Sequence, residues 1–242
     1  MACISKPKRL LWAATGAMLL AGSAMAQQLA RRGAEDPEHP CGMVYTEHYG
    51  PYDYRTQRGE LKIVEDFHFT QRVERLQGGQ SGYIGGDLNY TLKAGPNHHR
   101  ALVALMRWVE KNKSEKTDGM GYTAECYFDR AIRYRPDDTV VRALYAEFLH
   151  KRKRNADGIK QLDVGVFYAG ESAFSHYNLG LVYLELGAHD KALRQAQRAM
   201  ALGFPRTGLK DELVKLGKWQ EPAAAQSIAA AAPASAAASA AQ

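Results

Sequence analysis

From residue 61 to residue 219 the apolar side chains recur every three to four positions, and polar loops bearing Gly or Pro divide that pattern into short helices. Leu61, Val64, Phe67, Val73 and Leu76 are spaced for one face, with Thr70 placed to cap a second short segment. Ile84, Leu88 and Leu92 follow at four-residue intervals towards Pro96, in a helix that glycines 82, 85 and 86 weaken. The next helix starts after Pro96-Asn97 and carries Leu102, Leu105, Met106 and Val109 to Lys111; the polar stretch 113–121 is a loop. Ala124, Phe128, Ala131 and Pro136 then stand at spacings of four, three and five, and Leu209, Leu213, Leu216 and Trp219 mark a last amphipathic helix. Upstream, residues 41–60 show no helical period. Tyr45, Tyr49, Tyr52 and Tyr54 surround Gly50-Pro51, and such a segment must lie on another surface to bury its rings.

The strongest pattern is internal. Tyr177-Asn-Leu-Gly180-Leu-Val-Tyr183-Leu-Glu-Leu186-Gly187, with Ala192, Ala199 and Pro205, is a helix-turn-helix unit. A shift of 34 positions carries Gly180 onto Ala146, Tyr183 onto Leu149, Ala192 onto Gly158 and Ala199 onto Gly165, so small falls on small and large on large. That period and pattern resemble the tetratricopeptide repeat, in which small residues let two antiparallel helices approach and large ones fill the gap to neighbours. The resemblance implies an all-α, right-handed solenoid of about four units over 61–219. The units fall at about 62–96 (degenerate), 97–136 (with about six extra loop residues), 137–170 and 171–205, and a helix at 206–219 caps the open apolar face. The departures are His176 at a usual Trp, Ala196 at a usual aromatic and Met106 at a usually small position. The order of Cys41-Gly42, Tyr49-Gly-Pro-Tyr-Asp-Tyr-Arg55, His68-Phe-Thr70, Gly86-Asp-Leu-Asn-Tyr-Thr-Leu92 and Pro96-Asn-His-His-Arg-Ala-Leu102 is also similar to a family of exported proteobacterial tetratricopeptide proteins. That likeness implies export and an ordered tyrosine-rich N-terminal segment, and no biochemical activity.

The ends change the picture. Lys6, Lys8 and Arg9, the apolar run from Leu10 to Leu20 and Ala24-Met25-Ala26 read as a secretory signal, residues 1–26, cleaved after Ala26. The run is too short to span a bilayer, and Ser23 in place of a cysteine argues against a lipid anchor. The expected location is the periplasm or the exterior, with no integral membrane segment after cleavage. Cleavage lowers the formal charge from +6 to +3, which with export argues against nucleic acid as a partner. The run from Lys151 to Arg154 reads as a solvated helix end. Cys41 and Cys126 remain as the mature chain's only thiols; an oxidising compartment favours one disulfide between them, with two unpaired thiols as the alternative. Residues 27–40 read as a flexible lead-in, and 220–242, rich in Ala, Pro and Ser, as a disordered tail.

Catalytic chemistry finds little support. His98 and His99 invite a metal, with His68 near, yet adjacent helical residues diverge by about 100°. Nothing in the spacing of Asp53, Glu65, Asp87 and Ser81 selects them as an acid–base set. The expectation is a non-enzyme with no cofactor, no metal and no catalytic residue. By the repeat register, the concave face carries Arg100, Val103, Ala104 and Arg107; Val140, Ala143, Leu144 and Glu147; and Phe174, Tyr177, Asn178 and Leu181. Mixed apolar and polar character suits a peptide or protein partner in cell-envelope assembly or secretion, with Asn178 for a bound backbone and Phe174 and Tyr177 as anchors. Both rings could instead pack between helices. Ala143 and Glu147 stand where a clamp for a C-terminal carboxylate would need cationic or amide groups, so no such clamp is expected. In the alternative reading the N-terminal segment fills the groove itself and the protein is structural. A metal-dependent or acid–base enzyme ranks below both.

Overall fold

A computed structural model describes residues 38–45, 49–80 and 82–222. The signal segment, most of the lead-in and all but the first three residues of the tail lie outside them. Among the described residues the fold is all-helical, with ten helices and no strand. These are α1 (Arg58–Phe67), α2 (Gln71–Glu74), α3 (Ile84–Ala94), α4 (His99–Asn112), α5 (Ala124–Tyr134), α6 (Thr139–Lys151), α7 (Asn155–Ala169), α8 (Ala173–Glu185), α9 (His189–Ala201) and α10 (Gly208–Lys215).

Three helices begin on side-chain caps at a recurring place. His98, Asp138 and Ser172 stand in the loops before α4, α6 and α8 and accept hydrogen bonds from the first-turn amides of Ala101, of Val140 and Val141, and of Ser175. Each satisfies N–H groups that a helix start leaves without intrahelical partners. Thr123 does the same for α5 through the Cys126 amide. Thr70 precedes α2 as expected but makes no capping bond.

Helices α6 and α7, and α8 and α9, pack along their lengths, while α4 and α5 approach far less closely. Side-chain size explains the difference. Gly180 brings α8 so near its neighbours that an added Cβ would lie 2.4 Å from a Leu209 methyl and 3.1 Å from Gln195 Cβ. At the corresponding place in α4 stands Met106, 4% exposed, and between α4 and α5 large side chains such as Leu105, Tyr127 and Phe128 fill the wider gap. Two apolar clusters result. One gathers Leu88, Leu102, Leu105, Phe128 and Phe148; the other gathers Leu162, Leu179, Tyr183, Leu209 and Leu213, with α10 lying over the far end of the second.

The glycines of α3 serve packing. The loop between α4 and α5 returns across α3, where an added Cβ on Gly85 would sit 2.3 Å from the Asp118 carbonyl oxygen. Asn89 of the same helix holds that loop by accepting from the Tyr127 hydroxyl at 2.7 Å and the Gly121 amide at 3.2 Å. Phe67 departs from expectation. The inner face of α1 is Leu61 and Val64, and Phe67, 63% exposed, lines a surface hollow with Ile63, Tyr49 and Tyr90.

Candidate functional site

The tyrosine-rich segment runs over the ends of α3 and α5. Cys41 and Cys126 form a disulfide, with Cα atoms 5.0 Å apart. Next to it α5 sends out two guanidiniums: Arg130 donates to the carbonyls of Cys41 and Met43, and Arg133 to that of Gly42 at 2.7 Å. Arg130 is 1% exposed, so these bonds form away from water. Tyr134 donates its hydroxyl to the Pro51 carbonyl at 3.0 Å and meets the ring of Tyr45 edge-on. The Tyr52 amide donates to the last carbonyl of α3, on Ala94, at 2.8 Å.

Where the segment reaches the loops before α4 and α6 it is latched by a buried polar network. Asn97 is its centre. Its side-chain amide donates to Asp53 at 2.7 Å and to Asp138 at 2.9 Å, and its oxygen accepts from the Tyr54 amide at 3.0 Å. Asp53, 1% exposed, also accepts from the guanidinium of Arg55 at 2.9 and 3.1 Å and pairs with Arg135 at 2.7 Å. Asp138 receives His99 Nε2 at 2.8 Å while capping α6. Burial alone would raise the pKa of Asp53, but hydrogen bonds from Arg55 and Asn97 hold it well below the usual carboxylate range. Asp138 is lowered too, its burial outweighed by His99, Asn97 and Arg55.

The histidines and carboxylates considered as catalytic or metal groups are distributed through this framework. His98 accepts from the Ala101 amide through Nδ1, which leaves Nε2–H to donate to Glu65 at 3.0 Å. Its ring lies between Tyr54 and Phe69, and burial pushes its pKa down against the pull of Glu65. His98 pairs with Glu65, His99 with Asp138 and His68 with Asp87, so the three rings do not converge. Asp53 and Asp87 are each 1% exposed and occupied by structural bonds; Ser81 lies outside the described residues. Cys41 together with His39 and Asp129 forms the one group of potential metal donors among the described residues, with donor atoms within 4.8 Å of one another.

On the other side of the loops, α4 and α6 border a groove. A cavity of about 260 Å³ is lined by Arg100, Val103, Ala104 and Arg107 of α4, Val140 and Leu144 of α6, and Glu74 and His99. Half of the twelve groove candidates therefore meet in one hollow. Arg100 is tied to Glu74 by two hydrogen bonds, which hold its pKa above the usual value; Arg107 is exposed on the same wall. Glu147, half-buried on α6, has its pKa raised by burial and by Glu185. Ala143 is buried in the second apolar cluster. On α8, Phe174 is 56% exposed and Leu181 36%, with Asn178 half-buried between them. Tyr177 is 9% exposed and packs on Phe204 at 4.4 Å, so its ring serves the core.

No described residue of 41–55 lines that hollow. The latch that positions its walls was not anticipated: the sequence placed Asn97 only just before a helix start, and Asp138 carried no reading of its own. The only signal was the likeness of Pro96-Asn-His-His99 to Pro136-Asp-Asp-Thr139, two polar loops preceding equivalent helices. Fold and geometry thus describe an all-α protein with a side groove. No family model matches the chain, and no curated protein matches it either.

Proposed function

We propose that this is an exported, non-enzymatic scaffold of the tetratricopeptide type that binds an extended peptide or a protein segment through the face formed by α4, α6 and α8. The observation that carries the reading is the hollow between α4 and α6. Its floor is apolar, from Val103, Ala104, Val140 and Leu144, while Arg100, Arg107 and Glu74 ring it with charge. Such a site suits an anchoring side chain flanked by polar backbone. The 34-residue pattern and the helix pairs α6/α7 and α8/α9 support a repeat solenoid. The N-terminal signal pattern and the Cys41–Cys126 bridge support export to an oxidising compartment, where a role in envelope assembly or secretion fits. No described helix is long and apolar enough to cross a membrane.

The second reading is a structural protein whose N-terminal segment occupies its own groove. The bonds of residues 41–55 to α3, α5 and the loops favour a brace beside the groove over a plug within it. Affinity capture from a periplasmic extract tests the first reading. The wild-type protein should retain a partner that Val103→Asp with Leu144→Asp loses, while Tyr177→Ala should act through stability alone. Equal recovery by the double variant refutes the assigned groove. If partner recovery appears only after residues 41–55 are deleted from a still-folded chain, the second reading holds.

A further inference from the structure

The Cys41–Cys126 bridge sits among groups that a structural disulfide does not need. His39 Nδ1 and the Asp129 carboxylate are 3.8 Å apart, and each donor lies within 4.8 Å of Cys41 Sγ, to which Cys126 Sγ is bonded. His39 Nδ1 is the unprotonated ring nitrogen, since it accepts from the Cys41 amide at 3.1 Å, and a metal on Nδ1 would take the place of that hydrogen bond. Two thiolates, an imidazole and a carboxylate are a donor set of the kind that zinc takes tetrahedrally. Both flanking side chains are partly open to water, His39 at 30% and Asp129 at 27%, which leaves an ion a way in.

We propose that these four residues bind one zinc ion when the disulfide is reduced, so that the metal and the disulfide are alternative staples of the same joint. A dithiol reductant supplies the two electrons. One of its thiolates attacks a cysteine sulfur, the S–S bond breaks, and its second thiol closes the reductant's own disulfide, leaving Cys41 and Cys126 each with a proton. Zinc then displaces both protons and is held by the two sulfurs, His39 Nδ1 and an Asp129 oxygen. Zn–S bonds of about 2.3 Å separate the two sulfurs by a little under 4 Å. Cα atoms 5.0 Å apart accommodate that with small side-chain rotations.

The joint is also held without the bridge. Arg130 and Arg133 grip the carbonyls of Cys41, Gly42 and Met43, so the loop carrying His39 and Cys41 stays against α5 once the sulfurs part. Arg133 donates to Asp129 at 2.7 Å and fixes that carboxylate, as an outer-shell partner of a metal ligand does.

The test uses the purified full chain carrying Cys3→Ser, so that Cys41 and Cys126 are its only thiols. After reduction and removal of the reductant, titration with Zn²⁺ should give one ion per chain, and Co²⁺ should give the visible bands of tetrahedral thiolate ligation. The oxidised protein should bind neither. His39→Ala and Asp129→Asn, each checked for helix content in the oxidised form, should weaken zinc binding more than about tenfold. Absence of zinc from the reduced protein overturns the proposal. So does wild-type affinity in both variants, which would mean a bare dithiol chelate, and so does a reduced chain that unfolds and is not refolded by zinc.

Discussion

The two halves of this molecule solve one stacking problem with different chemistry. From α6 to α10, helices touch through small residues: Gly180 under Leu209, Gly165 against Leu179 and Gly158 against Leu186. From α1 to α5 the helices stand further apart, and bulky side chains, a long anchored loop, a polar latch and a disulfide hold them in place. Close approach needs only that a side chain be missing; separation needs something specific to fill the space. The first arrangement therefore recurs along the chain, whereas the second does not. Trp108 of α4 and Trp219 beyond α10 report on the two halves separately, provided Trp12 and the other of the two are replaced by Phe.

The largest expected effect belongs to the bridge. Cys126→Ser releases a loop of 85 positions and should cost the N-terminal half about 4 kcal/mol. In urea, the transition seen by Trp108 should move well ahead of the one seen by Trp219. Coincident transitions would mean that the halves unfold as one unit and that the contrast is only geometric. Next comes Asn97→Ala, which leaves two buried carboxylates and the Tyr54 amide without their shared partner. A loss of about 3 kcal/mol is expected, again at Trp108. An effect below about 1 kcal/mol would show that water replaces the amide.

A third comparison exchanges the packing rules. Met106→Ala should open a cavity between the widely spaced helices and cost about 3 kcal/mol. Gly180→Val should overpack the close pair, against Leu209 and Gln195, and cost about 2 kcal/mol. Thermal unfolding of both variants checks them. If Gly180→Val is neutral, Leu209 moves freely and α10 is a loose cap.

These contrasts explain which parts could be read in advance. The C-terminal half was legible because its geometry follows from residue size at a fixed period, and Ala146, Gly158, Gly165 and Gly180 carry that information themselves. Asn97 was legible only as the residue before a helix start, and His98 only as a histidine that invites a metal. Their partners are distant in sequence, Asn97 meeting Asp53 across 44 positions, and a single chain offers no periodicity for such pairs. Gly85 read as a weakness in α3, since its cause, the Asp118 carbonyl, belongs to another segment. The cysteine pairing followed from arithmetic and compartment, and the geometry bears it out. On the groove, six of the twelve register positions line one hollow, but register could not tell an exposed Phe174 from an inward Tyr177, because both lie near the edge of the same helical face.

The smallest effect is a difference in sign between the halves on acidification. Asp53 and Asp138 have native pKa values below their unfolded ones, so the stability they contribute is present above the unfolded value of about 3.9 and is lost as pH falls below it. Glu147 on α6 is raised, by burial and by Glu185. It therefore behaves oppositely: its ionisation costs stability as pH rises through its native value, and protonation on acidification relieves that cost. As pH falls from 7 towards the ordinary glutamate range the transition reported by Trp219 should rise slightly, while that of Trp108 should fall, because burial lowers the native pKa of His98 and the unfolded chain takes up that proton more readily. By pH 3 the N-terminal half should have lost about 1 kcal/mol through Asp53, with a further loss in the same direction through Asp138. Glu147→Gln should abolish the rise, and Asp53→Asn should flatten the acid limb while weakening the protein at pH 7. Parallel pH curves from the two tryptophans, unchanged by either substitution, would show that the latch carboxylates and Glu147 do not set the acid response of their halves.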